Sequence, residues 1–264
     1  MKNLPLFQVD AFAEYPFSGN PAAVIILDEW LTDDLMQKIA SENNLSETAF
    51  VLKKEDYFGI RWFTPAVEVD LCGHATLASA FVIFSFTDYK AERIIFRTVS
   101  RGDLIVERND HLIVLDFPTD IYVQSGIPEV LLKGIGRKSI ECYKGQSDYL
   151  LIYSSQEEIE QMSPDFNILA EAGDRGVIIS APGKDVDFVS RFFAPQCGIN
   201  EDPVTGSAHT TLIPYWSKRL NKSQLTAKQL SKRRGTIYCE DCGSRVKIGG
   251  KAILYLKGEI MINN

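Results

Sequence analysis

Two stretches of the chain repeat one another in order, residue type and spacing. The first reads Arg61-Trp62-Phe63-Thr64-Pro65, then Asp70-Leu71-Cys72-Gly73-His74-Ala75-Thr76-Leu77. The second reads Arg191-Phe192-Phe193-Ala194-Pro195, then Asp202-Pro203-Val204-Thr205-Gly206-Ser207-Ala208-His209-Thr210. An Arg-Gly pair follows Gly73 after 28 positions (101 − 73), and another follows Gly206 after 28 positions (234 − 206). Each pair leads into a strand-like run ending in glutamate, Glu107 and Glu240. Agreement on this scale implies two copies of one module, and a duplicated pair tends to hold its site in the cleft between the halves.

Length and composition suit that reading. A chain of 264 residues gives two modules of about 130 residues, near the common domain size. A hydrophobic content of 45% and a charged content of 24% are those of a soluble globular enzyme. The net charge of −7 argues against a nucleic-acid partner, which needs a basic face. The one basic cluster, Lys228 to Arg234, reads as a solvated helix end. No apolar run reaches the ~20 residues needed to span a bilayer, and Met1-Lys2-Asn3-Leu4-Pro5 lacks the apolar core of a secretory signal. A cytoplasmic location without membrane partners is therefore expected, and five cysteines read as reduced thiols.

Alternating and β-branched runs predict strands at 6–12, 22–27, 47–53 and 57–65, a hairpin pair over 94–117, and strands at 149–153 and 176–180. Short closing strands are expected at 236–240, 244–248, 252–257 and 259–262. The run 31–43 predicts a helix capped by Thr32, with Asp33 and Asp34 at its positive end. The runs 73–86 and 206–219 predict the two central helices, the second kinked or broken at Pro214. Minor helices are expected at 128–134 and 226–231. The segment 116–120 reads as the linker. These elements predict an α+β protein of two pseudo-symmetric modules, 1–118 and 119–264, with the last strand packing back on the first. Each module is a curved, mostly antiparallel sheet around a central helix.

Chemistry concentrates at the two helix starts. Gly73 and Gly206 allow a tight turn and close approach of the backbone to a ligand. The first N–H groups of a helix lack intrahelical partners and favour anions, so the pair suits a small carboxylate. Glu47 is followed by the apolar run Ala49-Phe50-Val51-Leu52, which would draw it inward; a partly desolvated carboxylate can both take and return a proton. It could equally be a surface carboxylate. His74 and Asp202, at the helix starts, could contact substrate or serve only as caps, and Ser207 is equally open. Cys72 precedes Gly73, where a helix N-terminus can lower a thiol pKa. Cys239-Glu240-Asp241-Cys242 lacks the companion ligands of a zinc site and reads as two turn thiols. With no Gly-x-Ser-x-Gly elbow, Rossmann fingerprint or Walker loop, neither a hydrolase triad nor a nucleotide cofactor is expected.

Four ordered motifs carry a resemblance: Phe17-Ser18-Gly19-Asn20-Pro21-Ala22-Ala23-Val24, Asn44-Leu45-Ser46-Glu47-Thr48-Ala49-Phe50, Leu71-Cys72-Gly73-His74-Ala75-Thr76-Leu77-Ala78 and Glu201-Asp202-Pro203-Val204-Thr205-Gly206-Ser207-Ala208-His209. Together they resemble the PhzF family of phenazine-biosynthesis-like isomerases over essentially the whole chain. The resemblance implies the diaminopimelate-epimerase-like fold, a homodimer and a cofactor-independent isomerase, with no metal, acting on a small anionic carboxylate. It places Glu47 as the proton-transferring glutamate and His74 and Asp202 as its catalytic companions. Ser46, Gly73, Gly206 and Ser207 fall on substrate-binding positions. The phenazine enzyme isomerises a dihydro-hydroxyanthranilate by moving a proton between ring carbons. Diaminopimelate epimerase and proline racemase share the fold and use two facing cysteines. Here Cys72 stands at the first such place and Pro203 at the second. A Cys72-dependent racemase and a non-catalytic small-acid binding protein remain the alternatives.

Overall fold

The structure, a computed structural model, describes residues 2–262. They divide into two compact units: the segment up to Asp116 joined by the segment from Gly249 onward, and Phe117–Ile248. The first unit contains β1 (Lys2–Ala11), β2 (Asn20–Leu27), α1 (Asp33–Asn43), β3 (Glu47–Lys53), β4 (Phe58–Phe63), β5 (Glu68–Val69), α2 (Gly73–Phe86), β6 (Arg93–Arg97), β7 (Asp103–Asn109) and most of β8 (Leu112–Pro118). The second contains β9 (Val123–Gln124), α3 (Glu129–Ile135), β10 (Glu141–Lys144), β11 (Asp148–Ile152), α4 (Gln156–Gln161), α5 (Phe166–Leu169), β12 (Gly176–Pro182), β13 (Phe188–Phe193), α6 (Gly206–Leu220), β14 (Gln224–Gln229), β15 (Gly235–Asp241) and most of β16 (Arg245–Gly250). The last strand, β17 (Ala252–Ile262), belongs to the first unit, where it runs antiparallel to β1.

Both units use one pairing scheme. In the first, β1–β2 is antiparallel, β2–β3 parallel, β3–β4 antiparallel, β4–β6 parallel and β6–β7 antiparallel. In the second, β10–β11, β11–β12, β12–β13, β13–β14 and β14–β15 follow the same alternation. A parallel pair needs a crossover, commonly a helix. The crossover after the repeated Arg-x-Phe strand is α2 in one unit and α6 in the other. The helix α2 carries no polar face; from His74 to Ala80 every side chain is buried. Such a helix is stable only inside a module.

Several expectations need correction. Residues 224–229 form a strand, not part of a helix. Leu225, Ala227 and Gln229 are buried alternately, a period of two that fits a sheet and not a helix. The basic cluster therefore closes a strand and its turn. Pro214 does not break α6, which runs unbroken from Gly206 to Leu220. Proline removes the N–H that would bond Thr210, and the Thr210 carbonyl instead accepts from the Asp120 N–H at 3.2 Å. The closing strands 252–257 and 259–262 are one strand, pairing with β1 through a register shift at Gln8/Val9. Cys239 lies buried within β15, so only Cys242 is an exposed turn thiol.

Candidate active site

In the first unit, three elements deliver their ends to one place. Thr32 caps α1 by accepting from the Leu35 N–H, and the helix stops at Asn44 in the left-handed region (φ 47°). The chain then turns through Ser46, which is half-buried, into Glu47, the first residue of β3. Gly19 turns the chain into β2 with φ +69°; a Cβ there would lie 2.2 Å from the Ala11 carbonyl oxygen, so only glycine fits. Asn20 follows, fully buried. Gly73 opens α2, with Cys72 as the N-cap and His74 in its first turn.

These ends bring Glu47, His74, Cys72 and Asn20 together. Oε2 of Glu47 lies 2.9 Å from Nε2 of His74, and both side chains are about nine-tenths buried. This buried carboxylate oxygen has no other hydrogen-bond partner among the described residues. The Asn20 amide lies 3.1 Å from Nδ1 of His74 and orients the ring. The Cys72 sulfur lies 3.5 Å from Nδ1 and 3.9 Å from Nε2. Burial opposes a charge on His74, yet the adjoining Glu47 carboxylate favours it, and the pKa is held well above the ordinary histidine value. Burial, then the nearby Glu47 charge, pushes the Cys72 thiol up to about 11. The sequence expectation of a lowered thiol pKa is thus reversed: desolvation exceeds the effect of the helix end. Donor atoms of Glu47, Cys72 and His74 all fall within 4.8 Å of one another, a sulfur, nitrogen and oxygen set that a zinc-like ion could engage.

In the second unit, α6 opens at Gly206 with Thr205 as its N-cap. The loop before it is tied down by Gln229, buried on β14. Its amide oxygen accepts from the Thr205 N–H at 2.9 Å, and its Nε2 donates to the Asp202 carbonyl at 2.8 Å and to Thr205 Oγ1 at 3.1 Å. The Thr205 hydroxyl donates to the Asp202 carboxylate at 2.5 Å. Ser207, half-buried, accepts from Nη1 of Arg175 at 3.0 Å. The counterpart of Cys72 as helix N-cap is Thr205, not Pro203.

The repeated arginine has a positional task in both units. Arg61 grips Glu68 with two hydrogen bonds, 2.7 and 2.6 Å, and Arg191 grips Glu201 with two, 2.6 and 3.0 Å. Each glutamate lies five residues before its helix glycine (73 − 68 and 206 − 201). A bidentate pair fixes direction as well as distance, so each clamp sets the loop that aims a helix start. Asn20, Gln229, Arg175 and Glu68 were not singled out from sequence as site residues. The signal for Glu68 and Glu201 was the equal offset from the two glycines.

The family model for phenazine biosynthesis-like proteins, PhzC-PhzF, matches residues 9–258. The chain belongs to this family. An uncharacterized isomerase of Pseudomonas aeruginosa is 50% identical to it, over 98% of this chain and 99% of its own. The crystal structure of a PhzF family protein from Enterococcus faecalis matches with a TM-score of 0.96 at 46% identity, covering 99% of this chain and 100% of that one. A probable proline racemase from Agrobacterium radiobacter, with bound carbonate, shares the fold alone, with a TM-score of 0.61 at 10% identity. The chain is an α+β enzyme, an isomerase of the PhzF type. No helix among its described residues is long and apolar enough to cross a membrane.

Proposed function

We propose that this PhzF-type isomerase moves a proton between two carbons of a small carboxylate, with Glu47 as the single group that takes and returns it. The observation that carries the reading is the state of Glu47: buried, with Oε2 2.9 Å from Nε2 of His74. A buried carboxylate beside an imidazole can both take and return a proton. One carboxylate serving both steps needs no cofactor.

His74 stands beside it as a hydrogen-bond donor to a substrate oxygen on which charge develops when the carbon loses its proton. Ser46 and Gly73, with Asp202, Gly206 and Ser207, supply substrate contacts: backbone N–H groups and a hydroxyl for a carboxylate, and the Asp202 carboxylate for an amine. Cys72 remains protonated near neutral pH and serves as packing.

The test is carbon-bound hydrogen exchange in D2O on a panel of unsaturated and α-amino carboxylic acids, with dihydro-hydroxyanthranilate among them. The parent should exchange one position, and Glu47→Gln should do so about 10²–10⁴-fold more slowly, the usual share of general acid–base catalysis, while binding the same acid nearly as well. Exchange surviving in the Gln variant within a factor of a few overturns the assignment and moves the base to His74 or Asp202.

A further inference from the structure

The shared strand frame identifies which residue of the second unit stands where Glu47 stands in the first. Thr48 on β3 is opposite Phe63 on β4, and Val177 on β12 is opposite Phe193 on β13. Phe63 and Phe193 are the third residues of the two repeats, so Glu47 corresponds to Gly176. The neighbouring strands agree: Ala22 on β2 is opposite Glu47, and Asp148 on β11 is opposite Gly176. No side chain fits at Gly176, because its Cβ would lie 2.3 Å from the Phe192 ring and 3.1 Å from the Asp148 carboxylate.

What replaces the carboxylate is the guanidinium of the preceding residue. Arg175 forks onto Asp148, with Nε 2.9 Å from Oδ1 and Nη2 on Oδ2. The Asp148 side chain is 4% exposed and that of Arg175 is 40% exposed. The guanidinium lies over the Phe192 ring, 5.4 Å from its centre. Its remaining arm, Nη1, donates to Ser207 Oγ. Ser207 follows the helix glycine as His74 does in the first unit. One copy therefore sets a carboxylate against the first side chain of its central helix, and the other sets a cation there.

We infer that Arg175, anchored by Asp148, is a positioning residue that makes Ser207 a donor for the substrate carboxylate and selects anionic over neutral ligands. The guanidinium has no acceptor, so it occupies a lone pair of the Ser207 oxygen and leaves the hydroxyl hydrogen to point elsewhere. Among the described residues that hydrogen has no acceptor. A hydroxyl held this way is a stronger and better aimed donor than a free rotor. The inference rests on the substrate contacts proposed for Ser207 and Gly206, and concerns ligand charge, not proton transfer.

The experiment measures binding of 2-aminobenzoate and of its neutral isostere 2-aminobenzamide by calorimetry, to the parent, Ser207→Ala, Arg175→Gln and the Arg175→Gln/Ser207→Ala pair. Removing Arg175 alone strands a buried carboxylate, so Asp148→Asn/Arg175→Gln is included, which removes both charges together. The parent should bind 2-aminobenzoate saturably. Each variant should weaken it roughly tenfold or more, the scale of one charge-assisted hydrogen bond, while 2-aminobenzamide changes less than about twofold. Arg175→Gln should add little once Ser207 is alanine. Equal weakening of both ligands, unchanged affinity, additive effects of the two substitutions, or no saturable binding by the parent overturns the inference. No turnover is involved, so a Glu47→Gln protein that still exchanges deuterium would sink the proton-transfer reading and leave this comparison standing.

Discussion

His209 provides a quantitative test of how the second unit holds its helix start. It is the fourth residue of α6 and fully buried, with Nδ1 2.8 Å from the Thr205 carbonyl and Nε2 without a hydrogen-bond partner. Its ring lies 6.0 Å from Phe188, which stacks on Trp216 at 5.6 Å. Burial pulls its pKa from 6.5 down to about 4, against the smaller opposing effect of the Thr205 carbonyl. The unfolded imidazole takes up a proton below pH 6.5, and the folded one resists until about pH 4. Between those values the unfolded state binds more protons, so stability falls as the pH falls; above that window the group contributes nothing. A depression of 2.5 (6.5 − 4) is worth about 3.4 kcal/mol when fully expressed, and about 2 kcal/mol of it is already lost at pH 5.

The assay is urea unfolding at pH 7.5 and pH 5 for the parent and for His209→Gln. The glutamine amide can still donate to the Thr205 carbonyl and does not titrate. Carboxylates common to both proteins cancel, so the parent should lose about 2 kcal/mol more than the variant over this interval. Losses that run parallel to within ~0.5 kcal/mol would show that protonated His209 finds a partner or water in the folded unit, and the argument from burial would fail.

Two further substitutions test the rest of the site. Cys72→Ser should keep isomerase activity within a few-fold, because the thiol is pushed up to about 11 and the matching N-cap is Thr205; a loss of several orders of magnitude in a normally folded protein would restore the racemase reading. Gln229→Leu removes three hydrogen bonds from the Asp202–Thr205 loop and should cost about 2 kcal/mol or more in urea unfolding; an unchanged midpoint would show that the loop is held by other contacts.

Most of the frame was legible because each element has a local cause. Thr32, Asp33 and Asp34 mark the start of α1, and the structure begins that helix at Asp33. The apolar 73–86 run called for burial, and it is buried from His74 to Phe84 apart from the half-buried Phe81, with only Ser85 and Phe86 exposed at its end. The expected helix over 226–231 overlaps the strand Gln224–Gln229 because Thr-Ala-Lys-Gln has no strong local preference and tertiary pairing decides it. The repeat held the answer, since β14 sits where β6 sits in the first unit. The cysteines show a second limit. Whether a thiol at a helix end is activated depends on competition between the helix field and desolvation, and burial cannot be read from Leu71-Cys72-Gly73. Gln229 and Arg175 were invisible for a further reason: each acts on a loop distant in sequence, through side-chain hydrogen bonds that leave no periodic trace.

The two halves show which parts of such a design are free to vary. Both keep an arginine clamped to a glutamate that lies five residues before the helix glycine, both keep the alternating strand frame, and both keep a glycine at the helix start. What differs is the pair of side chains at the helix start: Glu47 against His74 in one copy, Arg175 against Ser207 in the other. A frame that aims backbone N–H groups is indifferent to the charge beside them, so the copies could diverge there without refolding. Symmetric residues would give symmetric chemistry, a donor and an acceptor of protons on equal terms, as two-base epimerisation requires. A glycine where a second Glu47 would stand, closed off by Phe192 and Asp148, and a threonine where a second Cys72 would stand, leave this chain no matching partner at either position. On the proposed readings of each unit, Glu47 and Arg175 are the two substitutions whose effects should separate: the first in turnover, the second in ligand charge selection.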